Sequence, residues 1–168
     1  MLRATSGTGI AVVVLALLTG GVAYRYWPSD ERAIRRHLSS LSELVSTPVD
    51  IENEAVYLTR QAAIREYFAP DVQVRVAEGF VASREPLLAA LAHGSRQGPV
   101  VVHLVDVAVR IADDRATARV ALAARVAAAR RTGDETRAEV RHADLAMAKV
   151  KGDWLITVVE ERERRPRP

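Results

Sequence analysis

The chain has 168 residues, with 24 Lys and Arg against 21 Asp and Glu, 4 His, no Cys and a formal net charge of +3. That length holds one domain with a single core beside a short targeting segment. The lack of cysteine excludes a disulfide framework, a thiolate metal site and a cysteine nucleophile. Charges of both signs alternate along the chain, as on a solvated face, which argues against a dedicated nucleic-acid surface.

Between Arg3 and Arg25 no charge occurs for 21 residues, and Ile10-Ala-Val-Val-Val-Leu-Ala-Leu-Leu18 forms the centre of the run. About 20 helical residues span roughly 30 Å, the thickness of a bilayer hydrocarbon core. Two readings stay open. Arg3, Ile10–Leu18 and Gly21-Val22-Ala23 supply the basic start, apolar core and small residues of a secretory signal. Cleavage after Ala23 would release a secreted pocket protein. Against cleavage, the uncharged run continues to Tyr24 and ends in Arg25, Tyr26 and Trp27, an interfacial belt. The preferred reading is a retained anchor over residues 1–27, a single pass through the cell (inner) membrane. A lone Arg3 ahead of the run places the following domain outside the cytoplasm, although counting Arg25, Arg32, Arg35 and Arg36 points the other way.

Pro28-Ser29-Asp30-Glu31 predicts a helix start, with Ser29 as cap and two carboxylates at the positive end of the dipole. Ile34, Leu38, Leu41 and Val45 then share one face at helical spacing, and Pro48 ends the helix. A second helix is expected from about Glu52 to Phe68, with Tyr57, Ile64 and Phe68 on one side. Ala69-Pro70-Asp71 would end it ahead of a short alternating strand, Val72–Val76. Gly79 reads as a bend, and Ser83-Arg-Glu-Pro86 starts a third helix that runs to His93-Gly94. The period then changes to two. Strands are expected over Val100–Ile111, Ala116–Ala129, Arg137–Val150 and Trp154–Glu161, joined at Asp113-Asp114, Thr132-Gly133-Asp134 and Lys151-Gly152-Asp153. These residues predict an α+β domain over 28–162 and a disordered basic tail over 163–168.

This order of elements resembles the nuclear transport factor 2-like superfamily, which includes SnoaL-like cyclases and ketosteroid isomerases. The likeness covers roughly residues 29–162. It is carried by Tyr67-Phe68-Ala-Pro-Asp-Val72, Ser83-Arg-Glu-Pro-Leu-Leu88 and the last hairpin, Lys149-Val-Lys-Gly-Asp-Trp-Leu-Ile156. The resemblance implies a cystatin-like α+β cone: three N-terminal helices packed on a curved four-to-five-stranded antiparallel sheet around a pocket. It also implies a homodimer through the sheet face.

Enzymes of that fold hold a carboxylate, histidine or tyrosine pair inside the cone, where burial moves pKa values towards neutrality. The candidates are His103, Asp106, His142, Asp144, Tyr57 and Tyr67. His103 alternates with Val101, Val105, Val107 and Val109, which predicts that it shares the apolar face of its strand. His142 and Asp144 are two apart, the spacing of a proton-transfer pair on one strand face. The competing reading makes Glu139–Asp144 an exposed row of cross-strand ion pairs. Catalytic candidates are therefore His103, His142 and Asp144, and the pocket is assigned to Tyr57, Tyr67, Phe68, His103 and Trp154. No carboxylate matches the isomerase base. His37, His93, His103 and His142 lack metal-ligand spacing, so no metal and no cofactor are expected.

The sequence thus predicts a membrane-tethered, non-catalytic ligand-binding or assembly module. The alternative is an isomerase, dehydratase or cyclase acting on a small hydrophobic substrate in the cone. Expected partners are a second copy of the chain, a membrane or envelope protein and a small hydrophobic ligand, with no nucleic acid.

Overall fold

Three helices cover one face of a mixed six-stranded sheet whose other face carries no helix among the described residues. The computed structural model describes residues 29–46, 53–77, 79–128 and 137–162. The apolar N-terminal run, Pro48, the Thr132-Gly133-Asp134 turn and the tail 163–168 lie outside the described residues. Among the described residues no helix is long and apolar enough to cross a membrane.

Helix α1 spans Asp30–Val45 and starts as its sequence requires. Ser29 Oγ accepts the Arg32 amide at 3.3 Å, and Asp30 and Glu31 occupy the first turn. Its expected apolar stripe is the one buried: Ile34 is 0% and Leu38 3% exposed, with Leu41 and Val45 packed beside them. Helix α2, Glu54–Arg65, is capped by Asn53, whose Oδ1 accepts the Ala55 amide at 3.0 Å.

The expected extension of α2 to Phe68 does not occur. The Tyr67 carbonyl instead accepts the Ile156 amide at 2.9 Å, and Phe68 pairs with Ile156 in strand β1, Phe68–Val76. A contact made across most of the domain thus decides where the helix stops. Ala69-Pro70-Asp71 falls inside β1, where the register against the last strand slips between Phe68 and Gln73. Such an irregularity is where a strand tolerates a residue without an N–H.

The bend expected at Gly79 is a sixth strand, β2, Gly79–Ala82, paired antiparallel to β1. The sheet therefore exceeds the four or five strands expected. Helix α3 spans Arg84–Gln97, and Ser83 makes no side-chain cap bond; it enters the helix with φ 98 and ψ 154. Four long strands follow: β3 Val100–Ile111, β4 Thr117–Ala128, β5 Arg137–Val150 and β6 Asp153–Arg162. The order across the sheet is β2-β1-β6-β5-β4-β3. The β1–β6 pair is parallel, so the sheet is mixed rather than wholly antiparallel.

Turn chemistry fixes the registers. Val150 pairs with Asp153 across a two-residue loop, Lys151-Gly152, both at positive φ (53 and 101), the pattern of a type I′ hairpin. At the β3–β4 turn, Asp114 Oδ1 accepts the amides of Ala116 and Thr117 at 2.8 and 3.0 Å. These two backbone hydrogen bonds hold the Asp114 carboxyl below its ordinary pKa. The core lies between helices and sheet, centred on Ile34, Val72, Val120, Met147 and Ile156, each at most 2% exposed.

Candidate functional site

A cleft of about 140 Å³ opens where the three helices meet the first residue of β3. Its walls are the last turn of α1 (Leu44, Val45), the middle of α2 (Arg60, Gln61, Ile64), the second half of α3 (Ala90, Leu91, Gly94) and Val100. The lining is aliphatic apart from Arg60 and Gln61. Arg60 is half-buried, with Nη2 out of contact with solvent, and burial pulls its guanidinium below the usual arginine range. The rim is braced by Ser46. Its hydroxyl donates to the Ser42 carbonyl at 2.7 Å and accepts the Val102 amide at 3.0 Å, fastening the end of α1 to the edge strand.

None of the five residues expected to line the pocket borders this cleft. Phe68 and Trp154 belong to the core, 7% and 4% exposed. Tyr67 is half-buried at the far end of α2 and stacks on His37, ring centroids 4.2 Å apart. Tyr57 is half-buried one turn before Arg60 on α2. His103 is exposed on the outer face of β3, opposite Arg125 of β4.

The position of His103 has a local cause. The register of β3 against β4 slips between Leu104 and Asp106, leaving Val105 as an extra, 62% exposed residue. One added residue inverts the alternation downstream. Leu104, Val107 and Val109 consequently pack on the core, whereas Val101, His103, Val105 and Asp106 face outward. His103 does not share a face with Val107 and Val109.

His142 and Asp144 also lie on the outer face, opposite Ala123 and Ala121 of β4. Asp144 accepts from both Nε and Nη2 of Arg162, and this bidentate pair holds the guanidinium above its ordinary pKa. Nearby, Arg141 pairs with Glu161 at 3.1 Å and with Glu139 at 3.6 Å. The Glu139–Asp144 stretch therefore carries cross-strand ion pairs, and the carboxylate of the expected proton-transfer pair is held by an arginine. Asp106 is exposed opposite Ala123, and the sheet keeps His103, His142 and Asp144 on the side away from the cleft. Among the described residues no three His, Cys, Asp or Glu side chains form a group able to hold a metal ion.

One titratable group behind the sheet lies outside the catalytic candidates read from the sequence. His37, on α1, is half-buried with Nε2 shielded from solvent and lacking a hydrogen-bond partner. Burial lowers its pKa, against a smaller upward pull from Asp153. Spacing alone could have flagged Arg60 and Gln61, which stand four and three residues before the buried Ile64 and so share its helical face.

The outer face has its own character. Cross-strand register sets Ala108, Ala121, Ala123, Ala146 and Ala148 on it, interleaved with the charged Asp106, Arg110, Arg119, Arg125 and Asp144 of the same rows. Ala123 is 8% exposed although no helix among the described residues covers it, since it lies between Asp106 and His142 in the row.

No protein-family model matches the chain, and no curated protein sequence does. Solved structures do match in shape. One is a provisionally assigned scytalone dehydratase from Novosphingobium aromaticivorans, with a TM-score of 0.66 and 15% identity over 79% of this chain and 83% of that one. A second, from the same organism, is a nuclear transport factor 2-like protein with a cystatin-like fold, with a TM-score of 0.62 and 13% identity over 98% and 94%. A third is the association domain of C. elegans calcium/calmodulin dependent protein kinase II, with a TM-score of 0.60 and 14% identity over 80% and 96%. At these identities the likeness is one of fold. The domain has the α+β fold of the nuclear transport factor 2-like proteins.

Proposed function

We propose that this protein is a membrane-tethered, non-catalytic module that assembles through the outer face of its sheet and holds a ligand in the cleft between its helices. The observation that carries this reading is the division of labour between the two sides of the sheet. The cleft side is aliphatic, with Arg60 and Gln61 as its polar members. The outer side carries a set of alanines interleaved with His103, Asp106, Arg110, Arg119, Arg125, His142 and the Asp144–Arg162 pair, small residues and charges of both signs on one open face. Small side chains let a second sheet approach closely, and a face repeated on two copies closes a two-fold dimer. The fold shared with a kinase association domain supports assembly as a use of this architecture.

The tether is residues 1–27 in the inner membrane, with the domain on the non-cytoplasmic side. It joins the domain at Ser29, beside the Lys149–Asp30 contact and the final hairpin. The cleft lies at the other end of α1, at Leu44 and Val45. Fourteen residues of helix rise about 21 Å at roughly 1.5 Å each. The cleft and the tether attachment are therefore at opposite ends of α1.

The test is the mass of the full chain reconstituted in nanodiscs. The reading expects a dimer per disc in excess of random co-insertion, and Ala123→Arg, which plants a bulky charge among the outer-face alanines, reduces it to monomer. A wild type that inserts as monomers at every ratio of protein to disc would contradict it. The enzyme alternative draws on the dehydratase of similar fold and on the His37–Tyr67 contact. It requires His37→Gln to abolish function in cells while leaving assembly intact.

A further inference from the structure

We propose that the cleft selects small amphipathic anions, compounds with an apolar body and a carboxylate, with Arg60 as the group that receives the charge. This rests on the reading of the cleft as a ligand site. At about 140 Å³ the space is well below the roughly 300–1,000 Å³ of pockets for drug-sized molecules, so the ligand is small. Leu44, Val45, Leu91 and Val100 offer an apolar body no hydrogen bond, which leaves Arg60 and Gln61 to set polarity. A guanidinium carries five N–H donors in a planar fork that matches a carboxylate. Arg60 can therefore serve another group and still present donors to the cleft. Its partial desolvation sharpens the preference: a half-buried cation gains more from an anion than a solvated one, because less water competes for it.

Gly94 supplies an independent handle. It lines the cleft, and a Cβ built on it would meet nothing within 4 Å. Gly94→Leu thus adds bulk at the cleft wall without removing a core contact.

The experiment is ligand-observed fluorine NMR on the full chain in nanodiscs, with empty nanodiscs as blank. The probes are fluorophenylacetate and its neutral isostere, fluorophenylacetamide. The acid should bind about tenfold more tightly than the amide, the order expected for a hydrogen bond to a charged group. Arg60→Gln should bring the acid down to the level of the amide, Arg60→Lys should recover part of the difference, and Gly94→Leu should abolish binding of both. If acid and amide bind alike, or Arg60→Gln leaves the acid unchanged, the anion preference is wrong while the cleft remains a ligand site. If neither probe binds, or binding survives Gly94→Leu, both the preference and the ligand reading of the cleft are overturned.

Discussion

The Lys149 ammonium donates a hydrogen bond to the Asp30 carboxylate at 2.6 Å, joining the first turn of α1 to the last hairpin across 119 residues of chain. The same ammonium stands 5.5 Å from the centre of the buried Trp154 ring, and the Lys149 amide donates to the Ala116 carbonyl at 2.7 Å. One residue thus ties helix, core and neighbouring hairpin together at the end of the domain where the N-terminal segment joins.

That contact gives a stability prediction with a defined pH dependence. The Lys149 hydrogen bond, with help from its charge, holds the Asp30 carboxyl below its ordinary pKa. The contribution is therefore present above the unfolded-state carboxyl pKa, about 3.9, and is lost as pH falls through the lower folded value. The side chains are 34% and 24% exposed, so screening limits the pair to about 0.5–1 kcal/mol. Urea titration at pH 7 should find Lys149→Met destabilised by that amount, and at strongly acid pH the two proteins should converge. A gap that persists unchanged in acid would assign the loss to packing on Trp154 instead.

His37 works in a different window. Burial beside Tyr67 depresses its folded pKa, so the unfolded chain takes up a proton first as pH falls. Stability associated with the neutral imidazole is intact above the unfolded pKa of about 6.5 and declines as pH drops towards the folded value. Wild type should lose more melting temperature between pH 7.5 and 5.5, values near the ordinary histidine range, than His37→Gln does. Parallel pH profiles for the two proteins would show that His37 does not titrate against folding.

Ser83 enters α3 at φ 98 and ψ 154, a region that glycine occupies far more readily than any residue with a Cβ. Such a conformation costs on the order of 1–3 kcal/mol, partly offset by the extra freedom of glycine in the unfolded chain. Ser83→Gly should raise the melting temperature by a few degrees, the shift expected for about 1 kcal/mol in a domain of this size. A fall instead would mean that the serine hydroxyl makes a stabilising contact outweighing the backbone strain.

How much of this was legible in the sequence depended on whether the deciding contacts were local. The α1 stripe of Ile34, Leu38, Leu41 and Val45 follows from a 3.6-residue period and appears as read. The hairpin at Lys151-Gly152 follows from turn chemistry. The end of α2 did not, because the bond between the Ile156 amide and the Tyr67 carbonyl that starts β1 comes from 89 positions along the chain (156 − 67). The face of His103 was hidden for another reason. In Val100–Ile111 one alternating set, Val101, Val105, Val107 and Val109, reads as a continuous apolar face around His103, and the bulge at Val105 is marked only by the shift of polar residues from His103 to Asp106 and Arg110 in the other set. The cleft was missed because its walls come from four elements, each contributing residues that read as ordinary helix or strand surface. Only Arg60 and Gln61, on the face of Ile64, left a local trace.

The central claim, assembly through the outer sheet face, is tested most directly by cross-linking the full chain in its membrane. The natural sequence contains no cysteine, so each engineered thiol reports alone. Ala121, Ala123 and Ala146 lie on the outer face, and Ala89 is exposed on α3. Replaced singly by cysteine and oxidised, at least one of the three outer-face variants should form a disulfide-linked dimer, since a two-fold axis through that face brings like positions within disulfide reach. Ala89→Cys should stay monomeric under the same conditions. Cross-linking at Ala89 with none at the three outer-face positions would contradict the account.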